Sequence, residues 1–363
     1  MTEHEAPRQA GARFLLRPAL PADLAALERL AHERAIGISS LPTDSAVLLD
    51  KLERSAQAFE SEDEATGEEI YLFVLEDLEQ GGRIIGTSGI EASPGFQDRF
   101  YSYRSEFIVQ VSEELGTRNR IHTLHLCHDL TGVSLLTGFH IAPAYADSLA
   151  PQLLSRGRLM FMAQQAERFS DRVAAENPGP ADDNGGGCPF WDGVGRRFFD
   201  MDYPSAEALN RGQGRGSIAE LLPQSPLYVP LLDEPAQWAL GQLHPVGELP
   251  FSILMDEGFD TDTYVNIYDG GPTVEERLQS LKTVRRMRSR RCVDGPLEAG
   301  PRQQLVSNGR RADFRATLVG VGSTTPTGAD GQQLLPLDAA TREALRVQPE
   351  GRLFVAALDK ELP

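Results

Sequence analysis

Tyr71-Leu72-Phe73-Val74-Leu75-Glu76, followed across a Gly81-Gly82 turn by Arg83-Ile84-Ile85-Gly86-Thr87-Ser88-Gly89-Ile90, is the stretch that decides the fold. Both halves are rich in β-branched, aromatic and aliphatic residues and the paired glycines supply the turn, so the stretch predicts a β-hairpin. Upstream, residues 13–18 (RFLLRP) are strand-like and lead into Pro21-Ala22-Asp23, after which Leu24, Leu27 and Leu30 recur at helical spacing. A second helix is expected over residues 44–59, with Ala46, Leu49, Leu52, Ala56 and Phe59 along one face, before the acidic stretch 60–69. Downstream, strands are expected at 101–111, 122–128 and 134–141, and a helical pattern runs over 149–175 with Leu153, Leu154, Leu159, Met160, Met162 and Phe169 on apolar faces. Strand, two helices, antiparallel meander and long helix make up the layout of an α+β fold whose sheet splits where a cofactor can enter.

Beyond a Pro/Gly/Asp-rich loop at 177–187, residues 189–203 concentrate Phe190, Trp191, Phe198, Phe199 and Tyr203. A helical turn is expected at 252–258 with Gly258 as its cap, then a strand at 264–268 closed by Asp269-Gly270-Gly271-Pro272. Arg285-Arg286-Met287-Arg288-Ser289-Arg290-Arg291 is a strongly basic run between the two compositional halves. After it, strands at 304–307, 314–321 and 352–358 and a helix at 338–345 predict a small β-rich unit.

The chain has 363 residues, enough for one full-sized core and a smaller second one, since single cores stop growing near about 250–300 residues. No apolar run approaches the ~18 residues of a membrane span, and residues 1–12 are polar without an apolar h-region, so a disordered tail and a cytoplasmic protein are expected. Cys127, Cys188 and Cys292 are too few and too scattered for a disulfide framework. With 35 Lys+Arg against 53 Asp+Glu the net charge is −18, which argues against general nucleic-acid binding because phosphate neutralisation needs a basic face.

Several longer motifs occur in one order: GISSLP (37–42), LHLCHDLTGVSLLT (124–137), SRGRLMFMA (155–163), PFWDGVGRRFFDMD (189–202), AELLP (219–223), GQLHP (241–245), YDGGPT (268–273) and LVSNGRRADFRATL (305–318). Together they resemble the arginine N-succinyltransferase family, and 124–137 is most similar to the α subunit of its two-subunit arginine/ornithine form. The resemblance implies a GNAT-type acyl-CoA N-acyltransferase fold over 13–280, a mainly antiparallel mixed sheet flanked by helices, and a small β-barrel-like domain over 281–363. It also implies succinyl transfer from succinyl-CoA, used as co-substrate with no permanently bound cofactor, to the α-amine of L-arginine or L-ornithine, and a paralogous β subunit as partner.

Amide formation from a thioester needs a deprotonated amine, a polarised carbonyl and a protonated leaving thiolate. Histidine suits such proton transfers at neutral pH. His244, held in extended backbone by Pro245, matches the position of the family's proton donor. Phe139 matches a succinyl-CoA contact of the family, and the resemblance implies that backbone groups of Phe139, His140 and Ile141 receive the pantetheine arm. Glu106, Glu176, Glu220 and Asp269 sit in or beside these motifs as candidate carboxylates for a cationic amine substrate.

One segment departs from the pattern. After the 134–141 strand, where acyl-CoA enzymes of this type place a Gly-rich phosphate cradle, this chain reads Ala144-Tyr145-Ala146-Asp147-Ser148-Leu149-Ala150-Pro151. Pro151 removes a donor and Asp147 adds charge of the wrong sign, so a catalytically weak scaffold supporting an active paralogue stands as the alternative, and an acetyl-specific enzyme as a further one. His122, His125, Cys127 and His128 alternate across a strand and predict no metal site. The basic run is expected to form a hinge face or subunit contact rather than to hold CoA phosphates.

Overall fold

The computed structural model describes residues 12–32, 42, 44–95, 99–182, 187–213, 216–296, 300, 302–322, 326–328 and 331–361. Residues 1–11 of the expected tail, 37–41 of GISSLP and 183–186 of the Pro/Gly-rich loop lie outside them.

Fifteen strands lie among the described residues: β1 (Phe14–Pro18), β2 (Ile70–Asp77), β3 (Arg83–Glu91), β4 (Ser102–Ser112), β5 (Thr117–Cys127), β6 (Ser134–Ile141), β7 (Arg172–Glu176), β8 (Leu227–Tyr228), β9 (Asp260–Val265), β10 (Pro272–Arg277), β11 (Arg288–Asp294), β12 (Arg302–Ser307), β13 (Ala316–Val321), β14 (Leu334–Leu337) and β15 (Arg352–Glu361). They join edge to edge in the order β14-β11-β15-β12-β13-β1-β2-β3-β6-β7-β10-β9-β4-β5-β8. All pairs are antiparallel except β6–β7 and β11–β14. The result is a mixed, mainly antiparallel sheet, as the sequence predicts.

The β2–β3 hairpin forms with Gly81 and Gly82 both at positive φ. Tyr71 to Leu75 of β2 are buried without alternation because both faces are covered. On one side Leu72 and Val74 meet Leu27 and Leu30 of α1 (Leu24–His32) and Leu48 and Leu52 of α2 (Ser45–Glu60). On the other, Tyr71 and Phe73 pack with Phe161 of α3 (Ala150–Gln164), centroids 5.2 and 5.3 Å apart. Truncating Phe161 to Ala in such a cluster costs about 3–5 kcal/mol.

Three sequence expectations need correction. The buried stripe of α2 is Leu48, Leu52, Ser55, Ala58 and Phe59, while Ala46 is exposed in the first turn behind the Asp44 cap. The helix expected over 149–175 ends at Gln164, and Arg172–Glu176 is strand β7, because that segment completes the sheet between β6 and β10. Strand β9 ends at Val265, so residues 266–268 belong to the turn before β10.

The C-terminal strands enclose a second core of Cys292, Val306, Val319, Leu335, Leu337, Leu345 and Leu353. They continue the main sheet through β13 and β1, where Leu15 pairs with Thr317. Among the described residues no pairing closes β11–β15 into a barrel. The three cysteines are free and buried, and no helix of the described residues is long and apolar enough to cross a membrane.

Candidate active site

Strand β6 has two unlike neighbours. Toward β3 it stays paired from Glu91↔Leu135 to Gly86↔Ile141, whereas toward β7 it pairs only at Ser134↔Val173 and Leu135↔Ala174. Beyond Leu135 a cavity of about 130 Å³ lies between the diverging strands, lined by residues 135–139 of β6 and by Ala175, Glu176, Asn177 and Pro178 at the end of β7. Arg158 of α3 also lines it, as do Val246, Gly247, Pro250 and Leu254 around the helix Glu248–Glu257, and Asn266 and Asp269 of the turn before β10.

A bulge shapes the β6 wall. Thr137 pairs with Gly89 and His140 with Thr87, so Gly138 and Phe139 together oppose Ser88 alone. Gly138 has φ 61°, a left-handed backbone that costs an L side chain about 1–2 kcal/mol.

The far wall is made of three sequence motifs tied by backbone hydrogen bonds. The His244 N–H donates to Pro178 O at 2.8 Å, Gly241 N–H to Gly270 O at 2.9 Å, and Asn177 N–H to Pro272 O at 3.1 Å. The approach is close enough that a Cβ on Gly271 would stand 2.2 Å from Asn177 O. Behind this wall Trp191 stacks on Tyr268, with centroids 5.8 Å apart, and fixes the YDGGPT turn against the aromatic block.

His244 is buried, at 5% exposure, with extended backbone (φ −67°, ψ 141°) ahead of Pro245. Its Nδ1 accepts the Val246 N–H at 3.3 Å, so the neutral ring carries its proton on Nε2. The residue does not itself line the cavity, but Val246, Gly247 and its hydrogen-bond partner Pro178 do.

Two of the four candidate carboxylates reach this cavity. Glu176 accepts from Asn266 Nδ2 at 2.6 Å, and Asp269 accepts from Gly271 N–H at 2.8 Å. Burial pushes the Asp269 carboxyl up to about 6; Glu207 adds repulsion, and the amides of Gly179 and Gly271 pull it the other way.

The other expected positions divide between the cavity and the rest of the sheet. Phe139 lines the cavity, while His140 and Ile141 pair with Thr87 and Gly86 on the closed edge and are not among the lining residues. Glu106, on β4, is engaged by Arg104 at 2.5 Å and lies 3.4 Å from His125, and Glu220 is exposed; neither lines the cavity. His122 stacks on Phe107, and no three metal-ligating residues converge among the described residues. In the basic run, Arg288 donates to Arg285 O and Met287 O at the end of a short helix, and Arg291 pairs with Glu350.

The segment after β6 uses its own donors. Ala150 N–H goes to Ser148 Oγ at 3.1 Å, Gln152 N–H to Leu149 O at 3.1 Å, and Pro151 has none. Asp147 is exposed beside this turn. The first turn of α3 therefore offers an anion less than an open helix N-terminus does.

Arg158, Asn177 and Asn266 line the cavity without having been singled out as site residues from the sequence. The signal for Arg158 was present: a guanidinium directly ahead of the apolar run Leu159-Met160-Phe161-Met162 in a helix needs an explanation that packing does not supply.

The family model described as arginine N-succinyltransferase beta subunit matches residues 14–283. The chain is 45% identical over 306 residues to arginine N-succinyltransferase subunit alpha of Pseudomonas aeruginosa, covering 84% of this chain and 90% of that protein. It is 36% identical over 333 residues to arginine N-succinyltransferase of Salmonella schwarzengrund, covering 92% and 94%. The solved structure of arginine/ornithine succinyltransferase subunit AI from Pseudomonas aeruginosa superimposes with a TM-score of 0.84 at 40% identity, over 96% of this chain and 100% of that one.

Proposed function

The chain belongs to the arginine N-succinyltransferase family, and we propose that its succinyl transfer takes place in the cavity between β6 and β7. It is an acyltransferase of arginine catabolism, with succinyl-CoA as donor and arginine as acceptor. The finer reading is that the α-amine of arginine or ornithine attacks the thioester, forming the C–N bond as the C–S bond breaks. The attacking amine sheds one proton as the amide forms and the departing CoA thiolate gains one, so the step balances with His244 as the group that passes the proton between them. Glu176 and Asp269 supply the negative charge that a cationic acceptor requires.

The observation that carries this reading is the opening itself: Phe139 on a strand with one unpaired flank, and the motif holding His244 bonded to the opposite wall. In acyl-CoA enzymes of the GNAT type the pantetheine arm lies along such a splayed strand, and we extend that fold to residues 13–280. Residues 281–363 form the smaller unit, with a core around Cys292 and Leu335, while Leu305, Phe314 and Ala316 pack into the main one. The reduced, buried cysteines agree with a cytoplasmic setting.

The consumed donors at the start of α3 favour a division of labour in which a paralogous β subunit supplies all or part of the CoA phosphate site. The same observation supports the scaffold alternative, in which this chain only stabilises an active partner. Thiol release from succinyl-CoA in the presence of arginine separates these readings when followed for the isolated chain, for the chain with its partner, and for a pair carrying His244→Asn. Shared catalysis predicts activity in the pair and its loss in the His244→Asn pair. Full turnover by the isolated chain ends the divided site, and an active His244→Asn pair leaves this chain as scaffold.

A further inference from the structure

Three arginines are buried among the described residues, and two of them have carboxylate partners. Arg156, 3% exposed, meets Asp256 and Glu257, the latter at 2.7 Å, and Arg168, 5% exposed, lies 3.8 Å from Glu69 and donates to Tyr71 Oη. Arg158, 2% exposed and two residues along α3 from Arg156, has no carboxylate within 4.0 Å among the described residues. Its Nη1 donates to Gly89 O and Thr137 O at 3.2 Å, its Nε to Ser155 O at 3.3 Å and its Nη2 to Ser155 Oγ at 3.3 Å. The planar group is thus fixed in orientation by neutral acceptors on β3, β6 and α3.

A buried charge without a counter-ion is costly, and proteins resolve the cost by pairing or by neutralisation. Desolvation lowers the Arg158 guanidinium only to about 9, so it stays charged at neutral pH. It lines the cavity at the strand opening, and four of its five N–H donors are used. The missing counter-ion is therefore one that a ligand brings.

A carboxylate could come from the acyl group or from the α-carboxylate of the amino-acid acceptor. Position separates the two: Arg158 is bonded to Thr137 of β6 and stands 5.9 Å from the Phe139 ring centroid. Glu176 and Asp269, the groups suited to the cationic acceptor, belong to the opposite wall. We propose that Arg158 is the specificity-determining residue for the acyl donor, pairing with the free carboxylate at the far end of a dicarboxylic acyl group carried along β6. This rests on the succinyl-transfer reading. It gives that reading a physical basis for choosing succinyl over an uncharged acyl chain, which would bury the cation unpaired.

The test compares succinyl-CoA with butyryl-CoA, which has the same chain length and a methyl group in place of the carboxylate. It uses the reconstituted enzyme carrying Arg158→Met or Arg158→Lys, with arginine or agmatine as acceptor. The expected result is a succinyl-over-butyryl kcat/KM ratio lowered about 100-fold by Arg158→Met, as one lost charge-assisted pair allows, with Arg158→Lys between it and wild type. The preference for arginine over agmatine, which lacks the α-carboxylate, should stay at the wild-type value in both variants. A loss that follows arginine over agmatine instead, or a succinyl-over-butyryl ratio equal to wild type, overturns the assignment. Because the readout is a ratio on folded enzyme, with Arg158→Lys retaining the buried charge if Arg158→Met does not fold, general damage does not mimic it. A wild-type enzyme that succinylates no arginine would bring down the proposed function itself, a distinguishable outcome.

Discussion

The two edges of β6 carry the same residues and do opposite things. Along β3 the ladder runs the length of the strand with one bulge, and a Cβ on Gly86 would stand 2.8 Å from His140 O. Along β7 the ladder stops after two pairs, although β7 itself runs on to Glu176 and keeps its pairing with β10 as far as Glu176↔Thr273. The closed edge is where the strand is stabilised; the open edge leaves room for a ligand between backbone and charged walls. A site here is thus a place where a sheet stops pairing while the surrounding loops stay tied together.

The largest test of that contrast is on the open side. His244→Asn or His244→Ala should lower turnover at least ~100-fold, measured by steady-state kinetics of the reconstituted enzyme. Turnover at the wild-type level would remove His244 from the chemistry.

Asp269→Asn keeps an acceptor for Gly271 but loses the charge, and the KM for arginine should rise about tenfold. Its pH signature has a definite sign. A carboxyl raised to about 6 in the folded chain, against an ordinary value near 3.9, binds its proton more tightly when folded. Its contribution to stability is therefore fully present below about pH 4, falls as pH rises to about 6, and is flat above. Denaturation over that window should show wild type losing stability relative to Asp269→Asn as pH rises, and a difference independent of pH would mean the carboxyl titrates normally.

On the closed side the expectation reverses. Gly86→Ala should cost about 1–3 kcal/mol of stability by forcing a methyl group against the His140 carbonyl, while KM for both substrates in the surviving enzyme stays near wild type. A KM effect larger than the stability effect would mean that the two edges are coupled. The smallest changes are expected from Glu106→Gln and Glu220→Gln, away from both edges: kinetic constants within about twofold and stability within about 0.5 kcal/mol.

Much of the frame was legible locally. The bounds of β6 and the glycine turn of the hairpin follow from β-rich runs closed by turn residues. Others were not: Arg172–Glu176 reads as helix because alanines suit either state, and its strand exists only because a gap between β6 and β10 needs filling. The stripe of α2 shifted because Ala46 stands in the first turn, where the Asp44 side chain, rather than burial, sets the chain's course.

By itself the sequence determined most of the elements, the family and the motifs that hold the candidate residues, since propensity, turn chemistry and motif order are written in neighbouring residues. Tertiary structure alone decided which carboxylates share a cavity, that Glu176 and Asp269 do and Glu106 and Glu220 do not. It also decided that Arg158 is buried without the carboxylates that Arg156 has two positions away. Charge pairing and desolvation depend on distances between segments remote in sequence, and those distances are set only when the sheet closes on one edge of β6 and opens on the other.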